Sequence, residues 1–208
     1  MPDIKIKICG IFERGDADFI NAAKPDFVGF VFARSRRQVS VDFAAELKER
    51  ISGEIKSVGV FVDADIRGIT ACYRRGIIDI AQLHGNESGE YIDNLKSEGI
   101  PVIKAVRAEL KQNIMRAEEL FASADYLLFD NGAGGGGRAF DWNNMMGADI
   151  KKPFFLAGGI SLDNIGGALN VRPAPYAVDI SGGVETSGKK DGEKILKIVE
   201  YARLYGRQ

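Results

Sequence analysis

Cys9 ends the stretch KIKIC, Lys5 to Cys9, and Gly10 follows it directly. A thiol reacts as its thiolate, and an unperturbed pKa near 8.5 leaves only a few per cent of that form at neutral pH. A lone cysteine at such a place is in most proteins a small buried hydrophobe, so a chemical task for Cys9 depends on its company. Asp63, His84, Arg107, Asp130, Gly158 and Asp179 are similarly placed, each at or just past the carboxyl end of an apolar run. Each of the polar ones also has a plainer job to offer. Asp63 could cap the helix that follows, His84 in QLHG could be a structural donor at a turn, and Asp130 could anchor a loop. Asp141 reads as an N-cap, and Cys72 in ITACYRRG as a residue packed on a helix face. Arg34, Arg36 and Arg37 are close enough together to be either a solvated loop or part of an anion pocket.

Eight short, β-branched apolar runs would carry these residues: Ile4 to Cys9, Asp26 to Phe32, Ile55 to Val62, Ile78 to His84, Pro101 to Val106, Tyr126 to Asp130, Pro153 to Gly159 and Tyr176 to Ser181. Most gaps show a helical pattern, and the gap after Asp130 shows the weakest, only DWNNMM beyond a long loop. Near-continuous apolar strands alternating with helices predict a parallel sheet covered on both faces. In an open eight-strand sheet the strand-end residues would spread over roughly 35 Å, at about 4.8 Å per strand. A closed barrel brings them to one mouth, and eight units is the number a barrel needs. The expectation is α/β, a single (β/α)8 TIM barrel over residues 1–208, near the short end of that fold's range.

Barrels often bind phosphate with the loops after strands seven and eight. Here those loops read LAGGIS and DISGGVETSGKKD, which makes Gly158, Gly159, Ser181, Gly182 and Gly183 candidate phosphate contacts. The block NGAGGGGRAFDW has dinucleotide-like glycine spacing, but Arg138 and Ala139 stand where a P-loop needs Lys and Ser/Thr. A mobile lid over the mouth suits it better.

Several stretches together resemble one family, phosphoribosylanthranilate isomerase of tryptophan biosynthesis: KICGI, VGFVF with SRRQVS, VGVFVD, QLHG, LLFD, GGGGRAFDW, LAGGI with DN, and VDISGGVETSGKKD. Any one is weak, but the ordered set spans Lys7 to the final helix. The resemblance implies a cofactor-free Amadori rearrangement of N-(5-phosphoribosyl)anthranilate to 1-(2-carboxyphenylamino)-1-deoxyribulose 5-phosphate, the third step of the tryptophan branch from chorismate. It implies Cys9 as general base, Asp130 as general acid, and Arg37 as the partner of the anthranilate carboxylate, with Asp179 on the anthranilate or sugar part. The loop around SRRQVS is one residue shorter than the family's and lacks its proline, which keeps Arg34 and Arg36 open as alternatives to Arg37. The lid has Arg138-Ala139 where Lys-Thr is common, and Gly182 replaces a frequent serine. Guanidinium charge or a helix N-terminus near Cys9 would raise its thiolate fraction. A proton-donating aspartate needs burial or neighbouring anions, such as Asp179, to keep its proton.

The bulk properties agree with such an enzyme. A formal net charge of −1 argues against a nucleic-acid binder. Two cysteines and one histidine make neither a disulfide framework nor a structural zinc site. No leader pattern opens the chain and no apolar run approaches ~18 residues, so the expectation is a cytoplasmic enzyme without membrane or nucleic-acid partners, as monomer or homodimer. The rivals are another phosphosugar barrel enzyme, in which Cys9 would be idle, and a non-catalytic phosphate-ligand module, in which the acid, base or clamp positions would be eroded.

Overall fold

A computed structural model describes residues 4–131, 142–145 and 147–205. Eight strands close into a barrel in chain order. They are β1 (Lys5–Cys9), β2 (Phe27–Val31), β3 (Lys56–Phe61), β4 (Ile80–Leu83), β5 (Val102–Arg107), β6 (Tyr126–Asp130), β7 (Phe154–Leu156) and β8 (Ala177–Ile180). All neighbours pair in parallel, and β1 against β8 makes the closing seam, with Lys7 opposite Asp179. The run expected from Pro153 to Gly159 is cut to three residues. Gly158 and Gly159 take φ values of 86° and 66°, outside any strand geometry.

Helices α1 (Asp16–Ala23), α2 (Val41–Arg50), α3 (Ile66–Arg74), α4 (Gly89–Ser97), α5 (Lys111–Leu120), α6 (Ile165–Leu169) and α7 (Gly192–Tyr205) lie between and after the strands. Their starts follow local chemistry: Ser40, Asp65 and Ser88 each accept from a backbone N–H of the first turn. Among the described residues of the weak gap after β6 there is one 3-10 turn, Trp142–Met145. Asp63 does not cap α3. It sits at φ 46° and accepts from the Asn86 amide, joining the loops after β3 and β4, while Asp65 caps the helix. The expected lid and the expected Asp141 cap lie outside the described residues.

Side chains alternate across each strand, so a closed barrel has an inner set and an outer set. The outer set, including Ile6, Ile8, Val28, Phe30, Leu127 and Phe129, packs against the helices. The inner set includes Phe27, Val58, Ile80, Ile103, Leu128, Phe155 and Ala177. Rings of Phe27, Tyr126, Phe155 and Tyr176 contact one another at centroid separations of 5.2 to 6.3 Å and fill the amino-terminal end. The interior is therefore stopped below, and reactive groups can meet only at the carboxyl-end mouth.

After β8 the chain forms a small antiparallel ribbon, β9 (Glu185–Thr186) with β10 (Lys189–Lys190). Ser187 and Gly188 turn it with φ values of 53° and 82°, the left-handed pair that a two-residue hairpin favours.

Candidate active site

With Ile6 and Ile8 packed on the helices, the alternation of KIKIC turns Lys5, Lys7 and Cys9 inward. Lys7 is fully buried in the barrel, and its ammonium donates to both Asp179 oxygens at 3.0 and 2.9 Å. Burial pulls Lys7 down, but Asp179 and Cys9 outweigh it and leave its pKa raised. Cys9 lies one layer above, 8% exposed. Burial pushes its thiol above the ordinary 9.0, with Asp179 adding to the rise while Lys7 and Lys190 pull the other way. The cations beside this thiol are thus two lysines rather than the guanidinium or helix terminus that the sequence suggested.

Asp130 ends β6 at the same mouth. Its Oδ1 accepts from the Asn131 amide at 2.7 Å, and its Oδ2 lies 3.4 Å from His84 Nε2. His84 Nδ1 is 3.1 Å from the Gln82 side-chain nitrogen. The tautomer that accepts from that amide on Nδ1 is the one with its N–H on Nε2, the nitrogen that faces Asp130.

Arg37 is buried beside the ribbon, and Glu185 grips it through Nε at 2.6 Å and Nη2 at 3.1 Å. Arg36 bonds the same carboxylate and the Gly188 carbonyl, and Arg34 is exposed. Lys190, also buried, donates to Glu185 Oε1 at 3.0 Å and to the Ser181 carbonyl at 2.9 Å. Burial alone would raise the Glu185 carboxyl, but Arg37 and Lys190 hold it at about 2, so it is an anion across the working range of pH. Burial lowers Lys190 despite that partner.

The glycine loops meet on the far side of the seam. A Cβ on Gly183 would stand 1.9 Å from the Ile160 carbonyl oxygen, so glycine is what lets the loops after β7 and β8 touch backbone to backbone. Asn164 braces the first loop, accepting from the Ser161 amide and donating to the Gly159 carbonyl. The Ser181 hydroxyl donates to the Cys9 carbonyl at 3.0 Å, tying the ends of β8 and β1 together.

Residues 6–201 match the family described as N-(5'phosphoribosyl)anthranilate (PRA) isomerase. The chain belongs to the phosphoribosylanthranilate isomerase family. It is 43% identical over 204 residues to the N-(5'-phosphoribosyl)anthranilate isomerase of Endomicrobium trichonymphae, covering 96% of this chain and 98% of that one. Two solved structures of phosphoribosylanthranilate isomerases superpose on it with a TM-score of 0.84. One, in complex with reduced 1-(o-carboxyphenylamino)-1-deoxyribulose 5-phosphate, is 32% identical, covering 96% and 98% of the two chains. The other, monomers made from the dimeric Thermotoga maritima protein, is 31% identical, covering 97% and 99%.

In this member of the isomerase family the barrel brings Cys9, Asp130, Asp179, Arg37 and both glycine loops to one mouth. Sequence reasoning left His84 out of the reactive set and did not single out Lys7, Lys190 or Glu185. Lys7 had a visible signal, a charged residue two positions before Cys9 on the same strand face. Glu185 had none. Gly29 was also missed: it pairs with Cys9 across β1 and β2, and a Cβ there would lie 2.7 Å from the Cys9 sulfur. Gly29→Ala is expected to displace the thiol and lower kcat by about a hundredfold, the scale of an ångström-sized misplacement. Steady-state kinetics, with circular dichroism confirming the fold, checks this.

Proposed function

We propose that Cys9 and Asp130 are the base and acid by which this isomerase of tryptophan biosynthesis rearranges N-(5'-phosphoribosyl)anthranilate. Asp130 gives its proton to the ribose ring oxygen as the C1–O bond breaks, and the anthranilate nitrogen's lone pair forms the iminium. The Cys9 thiolate removes the C2 proton, and those electrons neutralise the iminium as an enaminol. A proton then passes from O2 to C1, leaving the ketose. Every step is a proton transfer or a bond shift within substrate, so the reaction calls for no cofactor. Arg37 faces the anthranilate carboxylate, because a planar fork suits a carboxylate better than an ammonium does. Gly158, Gly159, Gly182, Gly183 and the Ser181 backbone surround the phosphate. Asp179 accepts from the buried Lys7 on both oxygens, keeps acceptor sites for the anthranilate or sugar part of the substrate, and adds its charge beside Cys9.

The observation that carries this reading is the placing of a thiol and a carboxyl on inward positions of β1 and β6, at one mouth beside the joined glycine loops. One chain supplies all of these residues, so the proposal holds for a monomer or a homodimer. Two free cysteines suit a cytoplasmic setting, and no helix among the described residues is long and apolar enough to cross a membrane.

Purified protein added to freshly formed phosphoribosylanthranilate should quench the substrate's fluorescence without added metal or cofactor. Decay at the uncatalysed rate would leave a ligand-binding module instead. A second test addresses Cys9 directly. Because burial raises its pKa, the thiolate grows with pH beyond the ordinary 9.0. Alkylation of Cys9 by iodoacetamide, resolved from Cys72 by peptide mass spectrometry, should therefore still be accelerating past pH 9. A plateau near neutrality would mean that Lys7 and Lys190 prevail.

A further inference from the structure

Arg37 carries five N–H donors, and Glu185 takes two of them, one on Nε and one on Nη2. The engaged edge faces the ribbon. The guanidinium lies over the turn that follows Cys9 and over the end of β8: an added Cβ at Gly10 would meet Arg37 Cδ at 2.5 Å, and one at Gly182 would lie 3.5 Å from Nη2. Its Nη1 donors and the second Nη2 donor make another fork, of the right shape for a carboxylate.

Glu185 is itself fixed. Its side chain is 4% exposed, and Lys190 holds Oε1 while Arg36 holds Oε2. Three cations, Arg36, Arg37 and Lys190, therefore surround one anion, and the cluster keeps a positive excess for an incoming carboxylate. Arg36 also bonds the Gly188 carbonyl and so belongs to the ribbon's own fastening.

We infer that Glu185 is the positioning residue of the aromatic-carboxylate clamp: it holds the Nε edge of Arg37 so that the other edge stays aimed at the substrate's anthranilate carboxylate. The inference rests on the assignment of Arg37 as that clamp. A long arginine side chain left to itself occupies many rotamers, and binding must then order it. Glu185 does that ordering in advance, and Lys190 keeps Glu185 from swinging towards the substrate.

A double-mutant cycle tests this, with Arg37→Ala, Glu185→Gln and the pair measured beside the wild type. KM for phosphoribosylanthranilate and the inhibition constant of ribose 5-phosphate, which has the phosphate but no aromatic carboxylate, are the readouts. Arg37→Ala should raise KM tenfold or more, and Glu185→Gln about tenfold, a loss on the scale of one charged contact. In the Arg37→Ala background Glu185→Gln should add less than about twofold, and ribose 5-phosphate should inhibit all four proteins alike. Glu185→Asp, which keeps the charge on a shorter arm, should give an intermediate rise that also vanishes without Arg37, and it serves if the glutamine variant does not fold. An equal rise in both backgrounds would overturn the inference and make Glu185 merely structural. A fall in KM would also overturn it, by making Glu185 a competitor for the clamp. No effect of Arg37→Ala would instead refute the clamp assignment.

Discussion

Cys9→Ala and Asp130→Asn are each expected to lower kcat by about 10²- to 10⁴-fold, the usual yield of one positioned acid or base. KM should stay within a few-fold, because under the proposed function Arg37 and the glycine loops would hold the two anionic ends of the substrate without either group. The fluorescence assay reads both numbers. The carboxamide of Asp130→Asn keeps its shape and a hydrogen-bond donor but has no proton to release at the ring oxygen. If Cys9→Ala kept turnover within tenfold of wild type, the C2 proton would leave by another route and the thiol would be a packing residue. If KM rose in step with the fall in kcat, the two groups would be binding substrate rather than moving protons.

Lys7→Met should destabilise the protein by about 3–5 kcal/mol, because it leaves the Asp179 carboxylate buried without its partner. Urea unfolding followed by circular dichroism measures the loss. Removing both charges costs less than removing one: Lys7→Met with Asp179→Leu should recover most of that stability. It should not recover activity, since the pair also sets the charge beside Cys9. An active and stable double variant would make the ion pair a filler of the barrel interior. A single variant as stable as wild type would mean that Asp179 is wetter than its burial implies.

The lysine argument also shows where sequence reading reached its end. KIKIC displays a two-residue period, but a covered parallel sheet buries both faces, and the string does not say which face is the barrel's inside. The structure turns the isoleucines to the helices and the lysines inward, and it does so because β8 supplies Asp179 across the seam, 172 positions away. The Asp63 expectation failed for a local reason. Two aspartates lie close to the start of α3, and the loop's left-handed residue at Asp63 passes the capping position to Asp65. Arg37 could be ranked among three arginines only through a family motif. Its burial and its grip by Glu185, 148 residues later, needed coordinates.

What the chain's order of residues determined by itself was the repeating strand–helix unit, the eightfold count and the strand ends at which reactive groups appear, because these depend on short-range periodicity and turn chemistry. What only the tertiary structure decided was which groups meet. The Lys7–Asp179 pair, the Gly29 backbone under the sulfur, His84 against Asp130 and Glu185 behind Arg37 are contacts between different strands and loops. Barrel closure creates them, and no local pattern encodes its seam.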